Sequence, residues 1–129
     1  MKIVRYEEFV RMPAGTIFMP YAPSVFLGDC FEIKVDKGHE YPSPFDPNET
    51  AYNFNGVMSL LPWLGADCCD TFYRPGDQMD AKFDIYDGDA SDYIQYELFA
   101  ILEEKDIDQL IKVLEWAKNG CKEECDVCN

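Results

Sequence analysis

The sequence predicts a single α+β domain over residues 1–129, in which a C-terminal amphipathic helix covers one face of an antiparallel β-sheet. Two patterns support this prediction. Apolar Phe31, Ile33 and Val35 alternate with charged residues, as in a half-buried strand. Apolar residues after Asp106 recur instead at the spacing of an α-helix. The sequence shows no internal repeat and no linker, so we expect one domain.

The first quarter of the chain predicts one short helix and two strands. Residues 4–11 indicate a short helix or an irregular lead-in, and residues 13–16 form a Pro-Gly turn. We expect a strand over residues 16–19 that ends at Pro20, because proline has no N–H group for a β-ladder. A second β-rich run, residues 24–26, precedes the alternating strand.

The middle of the chain predicts strands separated by two loops. Residues 36–50 are rich in proline and are expected to form a loop, and residues 66–80 form a second one. Residues 52–64 are apolar and aromatic and should hold one strand. Another strand is expected at residues 83–86. Residues 93–102 predict a longer strand, although their apolar residues also allow a helix.

The clearest element is a helix over residues 106–119. Asp106 can cap it, with Gln109 three residues later in a capping-box-like arrangement. Gly120 then provides a C-terminal stop. We expect the sheet to bury the apolar face of this helix, which comprises Ile107, Leu110, Ile111 and Leu114.

The chain is strongly acidic. Its 25 acidic and 11 basic residues give a formal net charge of −14, while 47% of its residues are apolar. This apolar content excludes an intrinsically disordered chain. The acidic balance also argues against direct nucleic-acid binding, which depends on phosphate contacts from Lys and Arg. Residues 67–108 hold thirteen acidic and three basic residues, a net charge of −10.

This acidic stretch has two interpretations. It is either a solvated face that aids solubility, or a set of carboxylates that imitates nucleic-acid phosphates and occupies a basic groove of another protein. A calcium site is not expected, because the aspartates around Gly88 do not follow the EF-hand order. The residues that we predict at a partner-binding site are Asp77, Asp80, Asp84, Asp87, Asp89 and Asp92.

Six cysteines raise the question of a metal site. Three of them form a Cys-x3-Cys-x2-Cys pattern near the C-terminal end, and zinc takes four ligands that are often closely spaced. Cys69 and Cys30 are alternatives for the fourth ligand. Free thiols and disulfides are the other states open to these side chains. The predicted zinc ligands are Cys121, Cys125, Cys128 and Cys68.

The sequence carries no catalytic signature. His39, its one histidine, lies between Gly38 and Glu40 beside the proline-rich segment, where we expect an exposed side chain rather than a general base. The P-loop, dinucleotide-binding and nucleophile-elbow patterns are missing from the sequence. We therefore expect a protein that is not an enzyme and has no cofactor other than zinc.

The N-terminal residues and the hydropathy pattern predict a cytoplasmic protein. Glu7 and Glu8 interrupt the apolar run that a secretory signal needs. No stretch approaches the roughly 20 apolar residues of a membrane helix, so no membrane partner is expected. In a reducing compartment the cysteines are thiols or metal ligands rather than disulfides.

Residues 12–18, Met-Pro-Ala-Gly-Thr-Ile-Phe, resemble an element of small bacteriophage proteins. This segment is similar to the start of small uncharacterised phage and prophage proteins that carry a PAGT-[IV]-F motif. The similarity extends to Phe9, Tyr21, residues 25–26 and residues 33–34. The resemblance covers about the first quarter of the chain. It implies a small protein made in the host-cell cytoplasm during infection, of a kind that often inhibits or adapts a host protein. In charge, the chain is similar to DNA-mimicking anti-restriction and anti-CRISPR proteins.

These observations lead to a functional hypothesis. The chain is a small acidic binding protein that inhibits a host nucleic-acid-binding defence complex, of the anti-CRISPR or anti-restriction kind, by imitating nucleic acid. Its partner would be a host protein with a basic surface. The first alternative is a small zinc-stabilised structural or accessory protein whose acidity only aids solubility. An enzyme acting on a small molecule or nucleotide is the second.

Overall fold

The computed structural model describes residues 1–22, 25–26, 31–64, 74–78, 81–86, 88 and 90–127. The described helices are α1 (Tyr6–Phe9), α2 (Glu104–Lys118) and a 3-10 helix (Ala90–Tyr93). The described strands are β1 (Lys2–Arg5), β2 (Ile17–Ala22), β3 (Val25–Phe26), β4 (Glu32–Lys34), β5 (His39–Pro42), β6 (Thr50–Asn53), β7 (Val57–Ser59), β8 (Trp63–Leu64), β9 (Ala81–Lys82), β10 (Ile85–Tyr86) and β11 (Leu98–Ile101).

The main sheet is antiparallel in every pairing, which confirms the predicted α+β class. Its strands follow the order β1-β11-β2-β4-β7-β10, and β3 pairs with β2 outside this order. Strands β5 and β6 form a separate hairpin, and β8 pairs with β9. Strand β11 lies between β1 and β2, so a late segment of the chain joins two early ones.

An aromatic cluster covers one face of this sheet. The Phe9 ring of α1 stacks on Phe99 of β11 with 4.2 Å between centroids, and it lies 4.5 Å from the Phe18 ring of β2. The rings of Phe54 and Tyr93 complete the cluster at 5.8 and 5.9 Å from Phe9. Full burial of one such side chain contributes about 1.5–3 kcal/mol. Phe9 therefore anchors α1, although this helix is only four residues long.

Helix α2 lies where a helix was predicted, but it begins at Glu104, so Asp106 is its third residue rather than its cap, and the sheet does not bury its apolar face. Glu103 is the N-cap, and Asp106 completes a reciprocal capping box by accepting a hydrogen bond of 2.9 Å from the Glu103 amide. No residue of α2, all of which the structure describes, is buried. Ile111 and Leu114 are 49% and 58% exposed. The expectation that the sheet buries this face is therefore wrong.

The reason lies in the positions of α2 that make contact. Its half-buried apolar residues are Ile107, Leu110, Val113 and Trp116, which recur every third residue. On a helix of 3.6 residues per turn, each of these side chains is rotated about 60° from the one before, so they wind around the axis and no whole face of α2 is covered. Meanwhile the aromatic side chains of other elements already fill the core. The remaining apolar side chains of α2 therefore lie at the surface.

Strand β2 continues through Pro20, where the sequence predicted its end. The Leu102 amide donates to the Ile17 carbonyl at 2.9 Å. Because hydrogen-bonded and non-hydrogen-bonded pairs alternate along an antiparallel ladder, Pro20 lies opposite Phe99 at a non-hydrogen-bonded position. Its missing N–H group therefore costs no hydrogen bond to β11.

The segment 36–50, predicted as a loop, contains strand β5 and the turn of a hairpin. Pro42 ends β5 and lies opposite Thr50 of β6. The Ser43 amide donates to the Glu49 carbonyl at 3.0 Å and closes the connection. The prolines of this segment therefore lie at the end of a strand and in the turn, positions where a missing N–H group is tolerated.

The remaining predicted elements agree with the structure only in part. Residues 4–11 contain α1 as predicted, after strand β1, which the sequence did not indicate. Residues 83–86 contain β10. Within residues 93–102, only the second half is a strand, because residue 93 ends the 3-10 helix. Most of the loop predicted at 66–80 lies outside the described residues.

Candidate functional site

Half of the predicted aspartates lie in the described part of the chain, and each of these is exposed. They are Asp77, Asp84 and Asp92. The others lie outside the described residues: Asp80, Asp87 and Asp89. Asp77 also holds its own turn, because its carboxylate accepts a hydrogen bond of 2.8 Å from the Arg74 amide. The charge of Asp77 is accessible to a partner even while it makes this bond.

Asp84 and Asp92 lie close along the chain to two tyrosines that bind a third carboxylate. Asp84 precedes β10, the last strand in the sheet order, and Asp92 lies in the 3-10 helix. The hydroxyls of Tyr86 and Tyr93 both donate to Oε2 of Glu32, that of Tyr93 over 3.3 Å. Strand β10 and the 3-10 helix therefore converge on β4. We call Glu32, Asp84 and Asp92 the acidic edge.

Tyr93 forms the buried part of this arrangement. Burial, reinforced by the negative charge of Glu32, raises the pKa of the Tyr93 hydroxyl far above its ordinary value of 10.0. The hydroxyl therefore stays protonated and donates to Glu32 over the physiological range. A carboxylate that two hydroxyl donors orient is a fixed negative charge, suited to pairing with a cation.

Lys34 lies two residues from Glu32 on the same face of β4, and it is wholly buried. Its Nζ donates to the carbonyls of Val10 and Met12 at 2.8 and 2.7 Å. Burial lowers the pKa of this amine from 10.5 to about 8. Because Lys34 lies inside the core, its amine has a structural role, which is to tie the chain after α1 to β4.

A groove of about 390 Å³ borders the 3-10 helix on the side of Ser91. Helix α1 and the β5–β6 hairpin supply most of its lining, which includes the acidic residues Glu7 and Glu49. We call this feature the aromatic groove, and its apolar and aromatic lining includes Tyr6, Tyr41, Phe45, Tyr52 and Ile94. The 3-10 helix contributes to both features, because its Ser91 lines the groove and its Asp92 belongs to the acidic edge.

The predicted zinc ligands are only partly described. Cys121 follows α2 and is exposed, with a positive φ of 56°, and Cys125 is half-buried. Cys68 and Cys128 lie outside the described residues. Among the residues that are described, no three His, Cys, Asp or Glu side chains are grouped to hold a metal ion. A zinc site that includes Cys68 and Cys128 stays a prediction.

His39 is exposed, as predicted, but it lies in β5 rather than in a loop. Its ring lies 6.1 Å from that of Tyr41 on the same strand. Two residues apart, the two side chains share one side of the hairpin. This contact gives His39 a packing role beside the aromatic groove.

No helix in the described ranges is long and apolar enough to cross a membrane. Comparison of the chain with protein-family models, with curated proteins and with solved structures finds no match. The functional proposal therefore rests on the sequence and on the geometry of the site.

Proposed function

We propose that this protein is a non-enzymatic acidic binding protein, of bacteriophage type, that inhibits a host nucleic-acid-binding defence complex by occupying its basic surface. One observation carries the proposal. The described aspartates of the predicted site, Asp77, Asp84 and Asp92, are all exposed, and the last two belong to the acidic edge with the oriented carboxylate of Glu32. These aspartates lie within the segment of net charge −10.

Exposed carboxylates offer a basic protein the same kind of contact as a nucleic-acid backbone. Duplex DNA carries about one charge per 1.7 Å of its axis, so a protein that imitates it needs many acidic residues on one surface. Residues 67–108 supply thirteen. Charge complementarity of this kind accelerates association, and the affinity falls as salt rises.

The resemblance of residues 12–18 to phage and prophage proteins supports the choice of a host defence complex as the partner. A phage gains most by blocking the protein that recognises its genome. In this scheme the acidic chain does not bind nucleic acid. It competes with nucleic acid for the same basic surface, so binding of the chain and binding of nucleic acid exclude each other.

The test is competition for a basic nucleic-acid-binding site. The immobilised chain captures proteins from host lysate at low salt, and the captured complex is purified and loaded with fluorescent DNA or RNA. Displacement of the labelled nucleic acid is followed by anisotropy at low and high salt. We expect the chain to displace the nucleic acid, with an apparent affinity that falls steeply as salt rises. Failure to retain any nucleic-acid-binding protein at low salt would contradict the proposal.

Two sets of variants separate the site from the net charge of the chain. The site variant combines Asp77→Asn, Asp84→Asn and Asp92→Asn. The control variant removes three exposed charges outside the acidic segment, through Glu115→Gln, Glu123→Gln and Asp126→Asn. We expect the site variant to bind at least about tenfold more weakly than the control variant. Equal affinity of both variants would show that the position of the charges has no role.

A further inference from the structure

The aromatic groove presents an exposed aromatic side chain at its rim. Phe45 lies in the turn of the β5–β6 hairpin and is 96% exposed. Hydrogen bonds fix the turn that carries it, because the Ser43 hydroxyl accepts from the amides of Phe45 and Asp46 at 3.2 and 3.4 Å. These hydrogen bonds stabilise the turn conformation in which Phe45 is exposed. An apolar ring held in solvent gains free energy when a partner covers it.

The opposite wall of the groove is rigid. The hydroxyl of Tyr6 donates to the Ala90 carbonyl at 3.1 Å, which joins α1 to the 3-10 helix. The Tyr6 ring lies 6.3 Å from the core residue Phe99. Ile94, next to the 3-10 helix, is itself exposed. A ligand would therefore meet aromatic and aliphatic surface that requires little reorganisation before binding.

The charge of the groove is negative. Glu7 and Glu49 are exposed acidic residues of its lining. Arg11 is the one basic residue among the described residues that line it, and it is already engaged. Its Nε donates to the Glu40 carboxylate at 2.8 Å, and its guanidinium also donates to the Glu7 carbonyl at 2.9 Å. A cationic ligand therefore meets net acidic surroundings.

We propose that the aromatic groove binds an arginine side chain on an extended segment of a partner protein, together with an adjacent apolar side chain. A planar guanidinium stacks on tyrosine or phenylalanine rings and donates to carboxylates such as those of Glu7 and Glu49. The apolar neighbour packs on Phe45 and Ile94. A purely apolar segment would gain nothing from these carboxylates, and an acidic segment would be repelled by them. No residue of the acidic edge lines the groove.

The test is a titration of the ¹⁵N-labelled full chain followed by NMR. The probe is an acetylated hexapeptide of alternating arginine and leucine, and the matched control peptide has glutamate in place of arginine. We expect the arginine peptide to shift backbone amides in residues 6–11, 41–52 and 91–94. The glutamate peptide should leave them unchanged. Absence of shifts at about 1 mM arginine peptide, where even a weak complex is populated, would overturn the proposal.

Single variants connect the shifts to the groove. We expect Phe45→Ala to lower the affinity for the arginine peptide about tenfold, and Glu49→Gln to lower it severalfold. Phe83→Ala is the matched control, because Phe83 is exposed but does not line the groove. It should bind like the unmodified chain. Equal affinity of Phe45→Ala and Phe83→Ala would also overturn the proposal.

Two further measurements distinguish peptide binding in the groove from binding at the acidic edge and from dimer formation. The double variant Asp84→Asn with Asp92→Asn should bind the arginine peptide within about twofold of the unmodified chain, because neither residue lines the groove. A failure of the proposed inhibitory function at the acidic edge would therefore leave peptide binding in the groove unchanged. Sedimentation of the chain without peptide tests whether a second copy occupies the groove. Self-association that Phe45→Ala abolishes would assign the groove to a dimer and overturn the arginine proposal.

Discussion

The ammonium group of Lys34 lies 4.7 Å from the centre of the Phe54 ring, and the rings of Tyr52 and Phe9 follow at 5.6 and 5.8 Å. Attraction between a desolvated ammonium and aromatic faces contributes on the order of 2 kcal/mol. Burial nevertheless disfavours the charged form and lowers the pKa of Lys34 to about 8. The core of this protein therefore contains an amine that titrates close to physiological pH.

The low pKa of Lys34 predicts a stability that depends on pH. Between pH 8 and 10.5 the unfolded chain holds this proton more tightly than the folded chain, so this group makes the free energy of unfolding rise with pH across that window. The expected rise is up to about 3 kcal/mol. It is measured by urea unfolding of the chain and of Lys34→Met in parallel, under reducing conditions. The difference between the two free energies should grow with pH in favour of the unmodified chain, and a constant difference would contradict the prediction.

Gly38 is required by a close approach of two backbone segments. Its φ is +80°, and a Cβ atom there would lie 2.3 Å from the Asn53 carbonyl oxygen. We expect Gly38→Ala to lower the free energy of unfolding by about 3 kcal/mol or more. Gly15→Ala is the matched control, because Gly15 also has a positive φ of 89°, but no described residue beyond its chain neighbours has an atom within 4 Å of the added Cβ. It should cost about 1–2 kcal/mol, and equal costs would show that the contact with Asn53 is unimportant.

The exposed face of α2 predicts small effects of truncation. We expect Leu114→Ala to change the free energy of unfolding by less than about 0.5 kcal/mol, because Leu114 is largely exposed. Phe9→Ala should cost about 3–5 kcal/mol, since this wholly buried ring contacts four other rings of the core cluster. Chemical unfolding of both variants tests the contrast. A large effect of Leu114→Ala would mean that α2 packs against the rest of the chain in solution.

The hydrogen bond from Tyr93 to Glu32 predicts an energetic coupling between the sheet and the 3-10 helix. In a double-mutant cycle of Tyr93→Phe and Glu32→Met, which removes the acceptor, we expect a coupling of about 1 kcal/mol. Both changes keep the shape of the side chain, so the aromatic packing of residue 93 is preserved. Unfolding of the two single variants and of the double variant gives the coupling. A value of zero would show that the hydroxyl and the carboxylate act independently.

The strand around residues 31–35 shows how far sequence reasoning reaches. Alternation correctly places Glu32 and Lys34 on one face of a strand. It does not reveal that this face meets the core. The burial of Lys34 depends on the carbonyls of Val10 and Met12, which lie in a distant part of the chain and accept hydrogen bonds from its amine. Periodicity alone therefore assigns a buried amine to solvent.

Only some features of the candidate site could be predicted from the sequence. Exposure of the described aspartates Asp77, Asp84 and Asp92 follows from their charge and could be predicted. The orientation of the Glu32 carboxylate could not be predicted, because the tyrosines that donate to it, Tyr86 and Tyr93, belong to two other elements. Likewise, the spacing of apolar residues predicted α2 but not its exposure. Aromatic side chains of other elements, which no local pattern relates to α2, already occupy the core.

The place of β11 in the sheet has a consequence for synthesis on the ribosome. Among the described residues, β1 pairs with β11 alone, so residues 2–5 find their partner only after residue 101 has left the exit tunnel. The Phe9 ring likewise cannot stack on Phe99 until residue 99 has been synthesised. Until then the nascent chain exposes an unpaired strand and an uncovered aromatic ring, which are surfaces that chaperones recognise. A protein truncated before residue 98 therefore cannot complete this sheet, because it lacks the strand that pairs with β1.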